Sequence, residues 1–180
     1  MSSLQSLLSR RTFLKLGSFA AIAGPELLQA ASAAPERSLS FYNLHTEEKL
    51  KVVYWADGGY VGESLTAIDR LLRDHRTGSV HEIDRRLLDL MWQVRTKLDT
   101  TEPFQIISGY RSPQTNAMLR ANSNGVATHS LHLDGMAADL TVPGRSLEVV
   151  RKVATSLKSG GVGYYPSQFV HIDVGRVRTW

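Results

Sequence analysis

The chain has 180 residues, enough for one domain with a sizeable core and short for two. At 42% hydrophobic and 21% charged, with 14 Gly and 6 Pro, it is neither a disordered nor a fibrous sequence. A formal net charge of +4 is too weak to argue for nucleic acid, and the lack of cysteine excludes disulfides and Cys-rich structural zinc sites.

Residues 1–33 read as a leader rather than as part of the fold. Ser9-Arg10-Arg11-Thr12-Phe13-Leu14-Lys15 matches the twin-arginine export pattern, an apolar stretch runs from Leu16 to Gly24, and Ala31-Ser32-Ala33 is an A-x-A cleavage site. No apolar run approaches the ~18 residues of a membrane span. The expectation is export by the twin-arginine machinery and a periplasmic mature protein, residues 34–180, without a membrane span. Arg10, Arg11 and Lys15 against Glu26 take half of the formal +4 with them, leaving a mildly basic mature chain that is compatible with a polyanionic wall.

In the mature chain, Leu39 to Asn43 and Lys49 to Trp55 are β-prone, and the polar Leu44 to Glu48 turns between them into a hairpin ending at Asp57-Gly58-Gly59. Leu65, Ile68, Leu71 and Leu72 share one stripe of a helix from about Glu63 to His75. Asp84 caps the clearest helix, with Leu87, Leu88, Met91, Val94 and Leu98 at three- and four-residue spacing. Phe104 to Ser108 is a short buried strand ending at Gly109. Ser112-Pro113 then opens a helix to about Asn122 that Gly125 closes. Met136 to Val142 reads as a strand, Ser146 to Lys158 as a capped amphipathic helix, and Val162 to Tyr165 and Phe169 to Val174 as two final strands. Irregular alternation of helices and short strands favours a single α+β domain, a small antiparallel sheet with helices packed on it.

The chemistry concentrates in Ser130-Leu131-His132-Leu133-Asp134-Gly135-Met136-Ala137-Ala138-Asp139 and, further on, Phe169-Val170-His171-Ile172-Asp173. Two imidazoles and a carboxylate are the ligands a catalytic zinc takes while its fourth position stays open for water. Side chains two apart on a strand share a face. His171 and Asp173 therefore point the same way, and Asp139 on a neighbouring strand, ~4.8 Å away, can share an ion with His171. His132 reaches back over Asp139 from the loop entering that strand, and the small Gly135 and Ala137 leave room for metal and substrate. His45, His75 and His81 read as surface or core histidines.

Ser130-x-His132-x-x-Gly135-x-Ala137-x-Asp139 resembles the metal motif of the D-alanyl-D-alanine metallopeptidase group, the wider set that includes lysostaphin-type enzymes. Leu44-His45-Thr46, Ile107-Ser108-Gly109-Tyr110-Arg111-Ser112, the Gly160 to Pro166 run and Phe169-Val170-His171-Ile172-Asp173-x-Gly175 resemble, more particularly, the murein endopeptidase K type, across essentially the whole mature chain. The resemblance implies one zinc held by His132, Asp139 and His171. It also implies hydrolysis of the peptide cross-links of peptidoglycan, those joining two diaminopimelate residues.

Hydrolysis needs a general base within hydrogen-bond reach of the attacking water. Many relatives carry glutamate three residues before the last histidine, but Gln168 stands here and cannot accept a proton. Asp173, on the His171 face, is the candidate base, against a second role as a carboxylate supporting a ligand; His129 is another option. In the resembling group an arginine in the Arg111 context faces the site, to stabilise an oxyanion or hold a substrate carboxylate. Gln114, Asn116, Tyr164 and Tyr165 are candidates for lining the cleft, and Ser130 for orienting the loop that carries His132. Two other functions fit the same residues: a zinc carboxypeptidase or dipeptidase acting on D-alanine ends, and a non-catalytic wall-binding module.

Overall fold

The structure is a computed structural model and describes residues 35–123 and 126–180. The expected leader, residues 1–33, and the expected helix stop at Gly125 lie outside the described residues.

Among the described residues the elements run β1 (Arg37–Asn43), β2 (Lys49–Ala56), β3 (Gly59–Tyr60), α1 (Gly62–Leu71), α2 (Arg85–Lys97), β4 (Phe104–Ser108), α3 (Pro113–Asn122), a 3-10 turn (Leu131–Asp134), β5 (Ala137–Thr141), α4 (Leu147–Leu157), β6 (Gly161–Tyr165), β7 (Phe169–Asp173) and β8 (Arg178–Thr179). The class is α+β, as expected. The sheet is larger and more mixed than the sequence suggested: eight strands in the order β3-β2-β1-β4-β5-β7-β6-β8, with β1 parallel to β4 and β6 parallel to β8. The two edge strands, β3 and β8, are two residues each, too short to carry a period-2 signal.

Strand parity divides the sheet. Leu39 and Phe41 of β1, Phe104 and Ile106 of β4, Ala138 and Leu140 of β5, and Val170 and Ile172 of β7 all enter one core with the buried faces of the helices. From α2 that face brings Leu87, Leu88, Met91 and Val94. Burial of each such side chain contributes about 1.5–3 kcal/mol, which makes this face the main source of stability. The alternate residues of β5 and β7, Asp139, His171 and Asp173, are left facing the other side.

Helix ends follow their caps. Asp84 accepts from Arg86 N at 2.9 Å, Ser112 from Thr115 N at 3.2 Å and Ser146 from Val149 N at 3.3 Å, each contributing about 1 kcal/mol. Helix α1 stops at Leu71, short of the expected His75. The buried Asp74 carboxylate accepts instead from Arg76 N at 2.9 Å and Ser112 N at 2.9 Å, and so fixes a loop against the start of α3. No helix among the described residues is long and apolar enough to cross a membrane.

Candidate metal centre

Asp139 of β5 lies directly opposite His171 of β7 in the antiparallel ladder, so register alone brings a carboxylate and an imidazole together on the non-core face. His132 arrives on the 3-10 turn. That turn starts after Ser130, whose carbonyl accepts from Leu133 N at 2.9 Å, and it ends at Gly135 in the left-handed region with φ +65°. Arg111 N donates to His132 O at 3.0 Å, tying the turn to the segment after β4.

The three expected ligands converge. One donor atom from each of His132, Asp139 and His171 lies within 4.8 Å of the others, and all three residues are buried. His132 Nε2 stands 3.3 Å from Asp139 Oδ2 and 3.2 Å from His171 Nδ1, which in turn lies 2.8 Å from Asp139 Oδ1. Each imidazole is oriented from behind. His132 Nδ1 donates to Gly109 O at 2.6 Å and His171 Nε2 to Asp173 Oδ2 at 3.1 Å, so the opposite nitrogen of each ring is the one turned toward Asp139. Burial by itself would raise the Asp139 carboxyl, but the charge and hydrogen bonds of His132 and His171 hold it well below the usual carboxylate range. Two imidazole nitrogens and an ionised carboxylate form a donor set that fits a divalent metal ion.

Asp173 does not face this cluster. It is fully buried on the far edge of the His171 ring, where its carboxylate also accepts from Gly161 N at 3.0 Å, Gly175 N at 2.8 Å and both terminal nitrogens of Arg178 at 3.0 and 2.7 Å. Burial would raise its carboxyl; these donors, His171 and Arg178 foremost, hold it low. A carboxylate so occupied, and screened from the ligand atoms by an imidazole, is a poor fit to the general-base role expected of it.

Gly135 also differs from its expected reason. A Cβ there would run into the Glu82 carbonyl, and Gly135 O accepts from Asp84 N at 3.1 Å. The glycine is needed for a left-handed turn pressed against the segment before α2, not to clear space for a ligand.

Arg111 enters the site as expected. Its side chain is largely buried, with one terminal nitrogen 3.6 Å from Asp139 Oδ2 and the other donating to Asn116 Oδ1 at 3.4 Å, while Nε has no partner. Desolvation is the leading influence on its guanidinium and lowers its affinity for the proton, against the pull of Asp139. Asn116, buried at the start of α3, holds Arg111 and donates to Ala127 O at 3.2 Å, so it supports the cleft rather than lining it. Gln114 is exposed and outside the cleft, and Tyr164 packs under the Arg151 guanidinium. Ser130, Tyr165, Gln168 and His129 do line the cleft.

Among the further cleft residues to which the sequence reading gave no role are Phe169, Arg178 and Trp180. Phe169 stacks on Tyr165 with centroids 4.5 Å apart, and the Trp180 ring lies 5.2 Å from His171. Arg178 and Trp180 follow the last recognisable motif. Their only signal was a Gly175 turn ahead of an alternating Arg-x-Trp, which does not by itself specify a strand.

A family model described as peptidoglycan L,D-endopeptidase MepK matches residues 31–180. The chain is 42% identical over 176 residues to the peptidoglycan L,D-endopeptidase MepK of Escherichia coli strain K12, covering 96% of this chain and 97% of that protein. It is 40% identical over 177 residues to the probable peptidoglycan L,D-endopeptidase MepK of Haemophilus influenzae, covering 96% of this chain and 95% of that protein. Matches of this extent take in the ligand turn, β5, β7 and β8 alike, and the chain therefore belongs to the MepK family of peptidoglycan L,D-endopeptidases.

Proposed function

We propose that this protein is an exported zinc endopeptidase that hydrolyses peptide cross-links of peptidoglycan, those between two diaminopimelate residues. The observation that carries the reading is the convergence of His132 Nε2, Asp139 and His171 Nδ1 on one point of an open cleft. The names of the relatives support the substrate, and the leader pattern in residues 1–33 supports export through the twin-arginine machinery to the periplasm.

Two imidazoles and one carboxylate favour zinc, a borderline-soft ion, over calcium or magnesium, which prefer all-oxygen sets. What a bound zinc supplies is Lewis acidity at the scissile carbonyl and an activated water. The rest falls to side chains of this chain. Gly109 O and Asp173 engage the outward nitrogens of the two imidazoles, so that the inward nitrogens are the pair presented to a metal. Arg111, whose buried Nε is otherwise unsatisfied, receives the oxyanion or a carboxylate beside the bond. Gln168 can orient a water or a peptide N–H but cannot take up a proton. Among the described residues, His129 is the one cleft-lining imidazole outside the ligand set, and proton acceptance from the attacking water is assigned to it.

The test incubates the zinc-loaded protein with muropeptides of defined linkage and separates the products. Cleavage of cross-linked dimers, lost on chelation and in His171→Ala, is the expected result. Release of D-alanine from monomers would replace the reading with a carboxypeptidase. Tight binding to sacculi without turnover would replace it with a wall-binding module.

A further inference from the structure

Trp180 is a large aromatic residue that the fold goes to some length to hold half in the open. Its backbone is clamped to β6 on both sides, Trp180 N donating to Val162 O at 3.2 Å and Trp180 O accepting from Tyr164 N at 3.0 Å. Its indole N–H donates to the Tyr165 hydroxyl at 3.1 Å, and the Arg178 guanidinium sits 4.7 Å from its ring centroid. The ring also lies so close to Gly163 that a Cβ there would come within 2.7 Å of it, so the strand residue paired with His171 must lack a side chain for the indole to occupy this position. With all these restraints Trp180 still exposes 49% of its surface, in the cleft, beside a metal ligand. An indole fixed in this way loses little conformational entropy when a ligand packs on it.

The cleft is therefore unlike at its two ends, the Arg111 guanidinium beside Asp139 and, beside His171, the Trp180 ring with the Arg178 guanidinium against it and the stacked Tyr165 and Phe169 rings next to it. We propose that Trp180 is a specificity-determining residue whose indole receives the aliphatic arm of the substrate residue that supplies the scissile carbonyl. The inference rests on the endopeptidase reading above. In a link between two diaminopimelate residues the acceptor's arm is consumed by the bond itself. The free polymethylene arm is thus that of the carbonyl-supplying residue, and an apolar surface beside the metal ligands is where that arm finds burial.

The experiment compares two cross-linked peptides, one with diaminopimelate at the carbonyl-supplying position and one with alanine there. Wild type prefers the first. Trp180→Ala lowers kcat/KM for it by about tenfold or more while leaving the alanine peptide near its wild-type value, and Trp180→Phe keeps most of the preference. Gly163→Ala, whose Cβ displaces the indole by contact while Trp180 itself is unaltered, reproduces the selective loss with zinc stoichiometry unchanged. Equal losses on both peptides, or no loss, overturn the inference.

A binding measurement stands apart from turnover. The other two tryptophans, Trp55 and Trp92, flank Arg37 with ring centroids 5.0 and 5.1 Å from its guanidinium carbon, away from the cleft lining. Titrating the full chain with a stem tripeptide ending in diaminopimelate shifts tryptophan emission in wild type and not in Trp180→Phe, and an unchanged wild-type spectrum overturns the inference. If no cross-linked peptide is cleaved by wild type, the proposed function fails, while this titration still decides whether Trp180 binds the arm.

Discussion

Asp173 Oδ2 accepts from His171 Nε2 at 3.1 Å and so decides which imidazole nitrogen is turned toward Asp139. Strand alternation puts both residues on one face of β7, and the short carboxylate then reaches only the near edge of the ring. A supporting carboxylate of this kind sharpens a ligand without touching the ion, and its loss typically weakens metal affinity by about 10- to 100-fold. Asp173→Asn is expected to show that loss in zinc titrations against a competing chelator. A general base would behave otherwise, with turnover abolished at unchanged affinity, and that result would return Asp173 to the role read from the sequence. Asp173→Ala also strips Arg178 of its buried partner and should cost about 3 kcal/mol of stability, the low end of the range because Arg178 is partly exposed.

Arg111 offers a complementary test. Its guanidinium is desolvated and only loosely engaged, 3.6 Å from Asp139 and 3.4 Å from Asn116. Charge that develops in the transition state is where such a group acts most strongly. Arg111→Ala should lower kcat by about 10²- to 10³-fold while zinc affinity stays near wild type. Turnover close to wild type in this variant would remove Arg111 from the reaction.

The contrast between Asp139 and Asp173 indicates what a sequence can carry. Period-2 alternation gave the correct face for both, and antiparallel pairing gave the Asp139–His171 contact. Alternation does not say which edge of an imidazole a neighbour meets, and that depends on Arg178, Gly161 and Gly175 converging on Asp173 from three segments. The helices with side-chain caps, α2, α3 and α4, were legible to within a residue or two, because Asp84, Ser112 and Ser146 act over two or three residues. The end of α1 was not, since it depends on Asp74 bonding to Ser112, far along the chain. Parallel pairing of β1 with β4, and the arrival of Trp180 beside His171, are likewise long-range facts without a local signature.

Gly135 separates a structural from a functional reading of one small residue. Gly135→Ala imposes a left-handed alanine, about 1–2 kcal/mol, and drives its Cβ into the Glu82 carbonyl, so the total should exceed about 2 kcal/mol. Gly144 is the control, with φ +70° but nothing near its would-be Cβ, and Gly144→Ala should cost only the conformational part. Thermal unfolding of the two variants measures the difference. Equal melting temperatures would mean that Gly135 is not pressed against Glu82.

Proton acceptance by His129 is testable without removing a ligand, since it is an exposed residue of the cleft lining outside the ligand set. His129→Ala should lower kcat by about 10²-fold or more with zinc affinity and melting temperature unchanged, and external imidazole should restore part of the rate. A variant with wild-type turnover would move the proton-accepting role to water or to Tyr165.

His75 makes a prediction about stability rather than catalysis. It stacks on His45 with centroids 3.8 Å apart and planes 12° from parallel. Burial pushes its imidazole down from 6.5 to about 4, His45 and Arg76 add to the effect, and Asp74 opposes it. Between these two values the unfolded chain binds a proton that the folded chain does not, so the contribution of His75 is fully present above pH ~6.5 and is lost as pH falls toward ~4. Denaturant midpoints measured across this window should drop more steeply for wild type than for His75→Asn, the comparison cancelling the other titrating groups common to both. Parallel curves would show that the stacked pair accepts a proton in the folded state as readily as in the unfolded one.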